Sequence, residues 1–415
     1  MKVLVTGGAG YIGSTTVREL LKNDCEVIVY DNLSRGHRTS LPEEAVFIYG
    51  DLNDEERLKK VFLDNKIDFV IHFVAYLEVG ESVFKPAKYF YNNVINTIIL
   101  LEVMLENNVK NIVFSSSAAV YGNPKSIPIY EDFELHPTSP YGETKLLMEE
   151  LLKEFVSKYK FNAVALRYFN AAGAINKCGE DHNPEIHIIP RFVKLGLKGE
   201  DITIFGDGSH RRDYIHIEDL AKAHSASVSF IKEKISFNNG FFEFFNLGTG
   251  KMYTNLEVAN KVLELIYKKT GKNSRSKIIY LDERPGDPKD LLASNEKARK
   301  YLKWHPNKIK IEDIISDAID WHLNFSDGFK ERNFVVEDSY LNIVKKIVDF
   351  LRICPVSKEF KIKLFELLLK DEFNSMIAFK NKFLSQNIKL ELIDEDFKLK
   401  NEVCKILLEE LKNYV

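Results

Sequence analysis

Val3-Leu4-Val5-Thr6-Gly7-Gly8-Ala9-Gly10-Tyr11-Ile12-Gly13-Ser14 is the stretch that decides the fold. Its short apolar run, Val3 to Val5, has the character of a strand buried on both faces. Beyond the glycines, Val17, Leu20 and Leu21 recur at helical spacing. Glycines 7, 10 and 13 form a GxxGxxG turn between the two. Bare backbone there permits the turn, lets a pyrophosphate approach peptide N–H groups, and lets the helix pack close to the strand. A glycine turn alone marks only a turn. Here a second strand follows, Val27 to Tyr30, and ends in Asp31. An acid at that strand end accepts hydrogen bonds from a ribose 2′-OH and repels a 2′-phosphate. The unit therefore reads as a dinucleotide site that favours NAD, with Arg35 and Arg38 keeping NADP open.

Working outward, Val46–Tyr49 is a third apolar run, and Asp51 and Leu52 after it are placed to meet an adenine edge. Further runs at 69–73, 111–114 and 163–169 alternate with helical stretches such as 85–108. That alternation predicts an α/β fold with a Rossmann-like, doubly wound parallel sheet, whose ligands bind at the carboxyl ends of the strands. His72, inside an apolar strand, reads as a satisfied core histidine.

The 415 residues are 45% hydrophobic and 29% charged, with a net charge of −3, so no whole-molecule basic field for nucleic acid is expected. No signal peptide or membrane span is expected either. Cys25, Cys178, Cys354 and Cys404 are far apart with no CxxC pair, which fits reduced thiols in the cytoplasm and no metal site.

Chemistry enters where the fifth strand ends in Ser115-Ser116-Ser117. Tyr followed four residues later by Lys occurs at Tyr121/Lys125 and Tyr141/Lys145. Pro124 opposes a helix in the first pair, whereas Pro140 suits a helix start before the second. Only Tyr141 and Lys145 can share one helix face. A phenol ionises near pH 10 unperturbed, and a lysine ammonium one turn away favours its ionised form. The pair, with Ser117 sharing the phenol proton, reads as the acid–base centre for oxidising a carbinol.

These residues together resemble the UDP-glucose 4-epimerase family of the extended short-chain dehydrogenase/reductase superfamily. The resemblance rests on VTGGAGYIGS (5–14), DNLSRGH (31–37), VGES (79–82), NNV (92–94), FSSSAAVYG (114–122) and PTSPYGETK (137–145). It continues through RYFNAAGA (167–174), GEDHNP (179–184), RDYIHIEDLA (212–221) and FNLGTG (245–250), and covers residues 1–328. It implies epimerisation at C4 of a UDP-hexose. Hydride passes transiently to bound NAD while Tyr141 takes the O4 proton, the 4-keto sugar turns over, and hydride returns. By motif position the cofactor would touch Gly7, Gly10, Tyr11, Ile12, Gly13, Asp31, Asn32, Asp51, Leu52, Phe73, Asn93, Tyr141 and Lys145. The substrate would meet Ser117, Tyr141 and His187, with Asn170 and Arg212 on the diphosphate. Thr203 and Phe205 would flank the uracil, Arg284 and Asp287 the nucleotide end, and Leu291 the sugar. Residues 1–180 would form the NAD-binding domain, with a returning segment at 212–248, and 181–328 most of a smaller UDP-sugar lobe.

Three departures from the family pattern bear on the substrate. The loop between IFG (204–206) and RDYIH is short, which leaves related NDP-sugar epimerases and dehydratases as alternatives. Val74 stands where alanine is usual. Leu291 stands where hexose-restricted members often carry tyrosine, leaving room for an N-acetylhexosamine. Ala118-Ala119 occupy the place of the acid–base pair a 4,6-dehydratase needs. The Tyr141/Lys145 pair speaks against a non-catalytic NAD-sensing protein.

All 21 glycines lie at or before Gly328, and Pro355 is the one proline beyond it. The glycine-free tail, 329–415, shows helical spacing at Leu341, Val344, Ile347, Val348 and Leu351, over 360–384, and again from Leu399 to Leu411. Its evenly balanced charges argue against a nucleic-acid or membrane role. Such helices suit packing on the body or within a homo-oligomer, or a protein partner. Family members commonly form homodimers through the helices corresponding to 85–108 and 141–160.

Overall fold

The apolar run at the start extends to Lys2–Thr6 (β1) and enters the glycine turn, after which Tyr11–Lys22 forms α1. The computed structural model describes residues 1–182, 184–235, 240–283, 288–329, 346–351 and 356–367. The alternation continues as β2 (Glu26–Asp31), β3 (Val46–Tyr49), α2 (Glu55–Asn65), β4 (Phe69–His72), α3 (Val79–Phe84) and α4 (Pro86–Tyr89). A π-helical turn, Phe90–Ile95, leads into α5 (Asn96–Glu106), then β5 (Asn111–Ser117), α6 (Pro140–Tyr159) and β6 (Asn162–Tyr168). The remaining elements are β7 (Asn170–Ala172), α7 (Ile188–Lys198), β8 (Ile202–Phe205), β9 (Arg211–His216), α8 (Ile217–Ile235) and β10 (Phe241–Leu247). They finish with β11 (Met252–Thr254), α9 (Asn255–Thr270), β12 (Ile278–Leu281), β13 (Asp290–Leu291), α10 (Glu296–Tyr301) and α11 (Ile311–Asn324).

Seven parallel strands make the main sheet, in the order β10-β6-β5-β4-β1-β2-β3. The order reverses beside β1, so the crevice at its carboxyl end is the ligand site of a doubly wound fold. One apolar layer joins α2, α5 and α6 to one face of the sheet, and a second joins α1 and α8 to the other. Thus α8 and β10 return to the main sheet, while β9 lies in a smaller sheet with β7, β11 and β13. A third layer packs α7, α9 and α11 against that smaller sheet and β8.

Two tail stretches, 346–351 and 358–367, are helical. Ile347, Leu351, Leu364 and Phe365 are fully buried in the same apolar layer as α5 and α6. Ser357 donates to Glu154 on α6 at 2.6 Å, and Lys363 reaches Glu150 at 2.5 Å. Of the choices left open for the tail, its described part packs on the body. The periodicity at Leu341, Val344, 368–384 and 399–411 lies outside the described residues. Among the described residues no helix is long and apolar enough to cross a membrane.

Candidate active site

Gly7 has φ +72, and an added Cβ would stand 2.9 Å from the Val74 nitrogen. A Cβ on Gly13 would fall 2.4 Å from the Gly7 carbonyl oxygen, so α1 can start here only on glycine. Gly10 differs: its Cβ would meet only Gly7 O, at 3.2 Å, and otherwise points into open space. The backbone is therefore bare on the side where a pyrophosphate would approach, which fits a dinucleotide. Tyr11 opens α1 and donates from its hydroxyl to Gly173 O at 2.6 Å, while Ile12 beside it packs on the α1 core.

Asp31 is buried and braces this loop, accepting from Ala9 N at 2.9 Å and Leu33 N at 2.8 Å. Burial pushes its carboxyl pKa up, against the pull of those two N–H groups. Asn32 donates to Asp51 at 2.6 Å, so the two expected cofactor residues form one polar wall. Arg35 is held by Glu78 at 2.5 Å and Arg38 lies over the Phe47 ring, which leaves NAD the better fit. Phe73 follows β4 and packs on the His224 ring.

Two expected cofactor residues hold their side chains within the protein. Leu52 is 2% exposed, sunk in the core with Tyr30 and Leu58, so its side chain does not face the crevice. Asn93 spends its amide within the protein, bonding both backbone groups of Tyr76 and the Thr144 hydroxyl. It braces the wall after β4 against α6. His72 bonds Thr6 and Thr97 through its two ring nitrogens, and burial keeps it neutral, with a pKa of about 3.

At the carboxyl end of β5, Ser117 caps a short 3₁₀ turn and stands close enough to the Tyr141 hydroxyl to favour its ionised form. Ser139 caps α6 by accepting from Gly142 N at 3.2 Å, and Pro140 begins the helix, which aims Tyr141 back at Ser117. Lys145, one turn on, is 3% exposed and donates to Ser115 O at 2.7 Å. Its ammonium lies 5.9 Å from the Tyr141 ring centre. Burial lowers the Lys145 pKa to about 7, against the pull of Glu149. Burial also raises the Tyr141 pKa, and the neighbouring Ser117 hydroxyl opposes it.

Sequence reasoning missed what stands behind this trio. Tyr168 donates to the Ser115 hydroxyl and faces Tyr141 closely enough to feel its charge. Glu149, the next turn of α6 after Lys145, is fully buried and takes a two-pronged ion pair from Arg167, as well as a 2.6 Å bond from Ser116. Arg167 also donates to the Tyr121 hydroxyl at 2.8 Å. The glutamate four residues after Lys145 was the available signal.

On the substrate side, Asn170 on β7 donates weakly to Asp213 O at 3.3 Å. Arg212 and Leu291 are register partners across β9 and β13, so the structure does bring the expected phosphate and sugar residues together. Asp213, next along β9, is buried and accepts four hydrogen bonds from Thr249, Gly250 and Ala293; burial lifts its pKa to about 6. Thr203 and Phe205 lie along β8, where Arg191 donates to Thr203 O and stacks over Phe205. Arg284 and Asp287 lie outside the described residues.

His187 precedes α7 and bonds buried Glu180, which His182 also approaches at 3.3 Å. Partial burial opposes the His187 charge, but Glu180 and Glu185 outweigh it and raise its pKa to about 9. His187 therefore stands as a cation at the start of a helix, a natural seat for phosphate. Glu180, His182, Glu185 and His187 bring ligand-capable atoms within 4.8 Å of one another, a set a cation could also use.

This geometry meets its relatives at a consistent point. The NAD dependent epimerase/dehydratase family model matches residues 3–248. UDP-glucose 4-epimerase of Lactobacillus helveticus is 45% identical, with 80% of this chain and all of that protein aligned. The solved structure of the Bifidobacterium longum UDP-glucose 4-epimerase, in complex with NAD+ and UDP, is 36% identical with a TM-score of 0.71, covering 79% of this chain and all of that one. The UDP-Glc/GlcNAc 4-epimerase of Campylobacter jejuni is 34% identical with a TM-score of 0.66, over 78% of this chain and 99% of that one. The chain belongs to the NAD dependent epimerase/dehydratase family, within the UDP-glucose 4-epimerases of the extended short-chain dehydrogenase/reductase superfamily.

Proposed function

We propose that this chain interconverts the C4 epimers UDP-glucose and UDP-galactose. The observation that carries this reading is the Ser117–Tyr141–Lys145 group at the carboxyl end of β5, on the sheet whose β1 feeds the glycine turn. NAD bound along Gly7–Gly13 and Asp31 supplies a reversible hydride acceptor for sugar C4. Tyr141 removes the O4 proton and gives it back, Ser117 fixes the phenol oxygen, and Lys145 stabilises the phenolate. His187, Asn170 and Arg212 hold the diphosphate while the sugar turns over. A phosphate grip away from the reacting carbon lets one binding site present either sugar face to one base.

Residues 1–180 with the returning segment serve the cofactor in this reading, and 181–328 most of the UDP-sugar. Free, buried Cys25 and Cys178 suit a cytoplasmic setting. A homodimer through the helices of 85–108 and 141–160 would need a face on which this chain's own tail is packed. Supplying UDP-galactose and following UDP-glucose tests the activity. Interconversion without added NAD is expected from protein that retains its cofactor; a 4-keto-6-deoxy product, or none, overturns the reading.

A second substrate pair rests on Leu291. Beside Arg212 in register it presents a branched aliphatic side chain, smaller than tyrosine. That leaves room at sugar C2, and the similar Campylobacter jejuni protein is a UDP-Glc/GlcNAc 4-epimerase. UDP-N-acetylglucosamine and UDP-N-acetylgalactosamine are therefore proposed as further substrates, and no conversion of either would sink this extension.

A further inference from the structure

The segment α5, Asn-Thr-Ile-Ile-Leu-Leu-Glu-Val-Met-Leu-Glu, is apolar nearly all round, and eight of its eleven residues are buried. A helix of that kind needs neighbours on every side. The sheet supplies one side, and α2 and α6 flank it. The described tail joins the same layer from the far end of the chain. Its four deepest side chains, Ile347, Leu351, Leu364 and Phe365, have no solvent exposure. Polar fastenings fix its position: Ser357 to Glu154, Lys363 to Glu150, and Lys346 over the Tyr91 ring.

The relatives matched over their full length account for 80% of this chain and leave a fifth without a counterpart, the share taken by the glycine-free tail. A body of that kind presents its α5–α6 layer with no such cover. Exposed apolar area of this sort is covered by association. A second copy offers the identical face, and an identical face packs on itself across a two-fold axis.

We propose that the tail helices at 346–351 and 358–367 are a built-in cover that occupies the α5–α6 face in place of a second copy of the chain. The tail and self-pairing compete for one surface, so the full chain stays single and loss of the tail drives two bodies together.

Light scattering on the full chain across a dilution series reads this directly. The full chain is expected at the mass of one copy, 47.9 kDa. A chain ended after Phe329, and a full-length Leu351→Asp/Phe365→Asp variant that undocks the tail, are each expected at twice their own mass. A full chain already at two copies overturns the proposal, as does either soluble variant remaining single. Should both variants precipitate, zero-length carbodiimide coupling of the unaltered full chain decides. A Lys363–Glu150 link found in single-copy protein upholds the cover. The same link found only between two copies shows the tail exchanged between them, and overturns it.

Discussion

Lys145 carries its ammonium 5.9 Å from the centre of the Tyr141 ring while donating at 2.7 Å to the carbonyl of Ser115. The backbone bond fixes the lysine, and the helix fixes the distance. Tyr141→Phe keeps the ring and its packing and removes the proton acceptor. It is expected to lower kcat by about 100- to 10,000-fold with little change in KM. Steady-state turnover of UDP-galactose checks this, and near-normal kcat would remove Tyr141 from proton transfer.

His187 is a cation below its pKa of about 9 and loses that charge as pH rises through it. With the diphosphate on His187, KM should climb above pH 9 while remaining flat below. Glu180→Gln removes the charge that, with Glu185, outweighs burial; His182, Lys194 and Glu78 remain nearby. The rise in KM should then move toward the ordinary imidazole range, about pH 6.5. A KM profile identical in both proteins would detach His187 from phosphate binding.

Gly13→Ala drives a Cβ to 2.4 Å from the Gly7 carbonyl oxygen. The turn must open, and the N–H groups facing a pyrophosphate move with it. Overpacking of this kind costs about 1–3 kcal/mol. The variant is expected to purify with little NAD, measured as cofactor released per chain on acid denaturation. Full cofactor content would mean the turn adjusts without loss.

Arg167 and Glu149 form a buried pair, so removing one partner strands the other's charge. Arg167→Met is expected to cost about 3–5 kcal/mol of stability, read from urea midpoints with an unchanged slope. The double variant Arg167→Met/Glu149→Leu should recover most of that loss. Equal destabilisation in single and double variants would show that the pair's charges do not matter.

Leu291→Tyr should leave UDP-glucose turnover near its starting value and reduce UDP-N-acetylglucosamine turnover by about tenfold or more. Equal loss on both sugars would place residue 291 away from C2.

The main sheet was legible because its parallel strands write short apolar runs, even at the exposed edge: Val46–Tyr49 appears in the fold with the bounds read from the sequence, and β5 extends the expected run to Ser117. The Tyr141/Lys145 pair was legible because a helix start and a four-residue step suffice to place it. The Arg167–Glu149 pair was not, since nothing local links a strand residue to a helix residue eighteen positions earlier. The inward turn of the Leu52 side chain was not legible, because strand-end position alone does not say which way a side chain turns. The bonds of Asn93 to Tyr76 and Thr144 were not legible either, since they depend on how α6 approaches the π-helical turn. The tail's helices were visible in their periodicity; their seat was not, because an amphipathic stripe does not name the surface that will receive it.

The layer that the tail completes draws on residues from Leu4 to Ala165, then on Phe242 and Phe244 at its edge, and then on Ile347 to Leu367. Its parts are thus made at opposite ends of the chain's synthesis. At ribosomal rates of about 5–20 residues per second, the first part waits roughly 10–40 s for the last. During that interval the nascent chain carries an apolar surface with nothing of its own to close it. Chaperone dependence, and the sensitivity of yield to growth temperature, should follow the length of that wait.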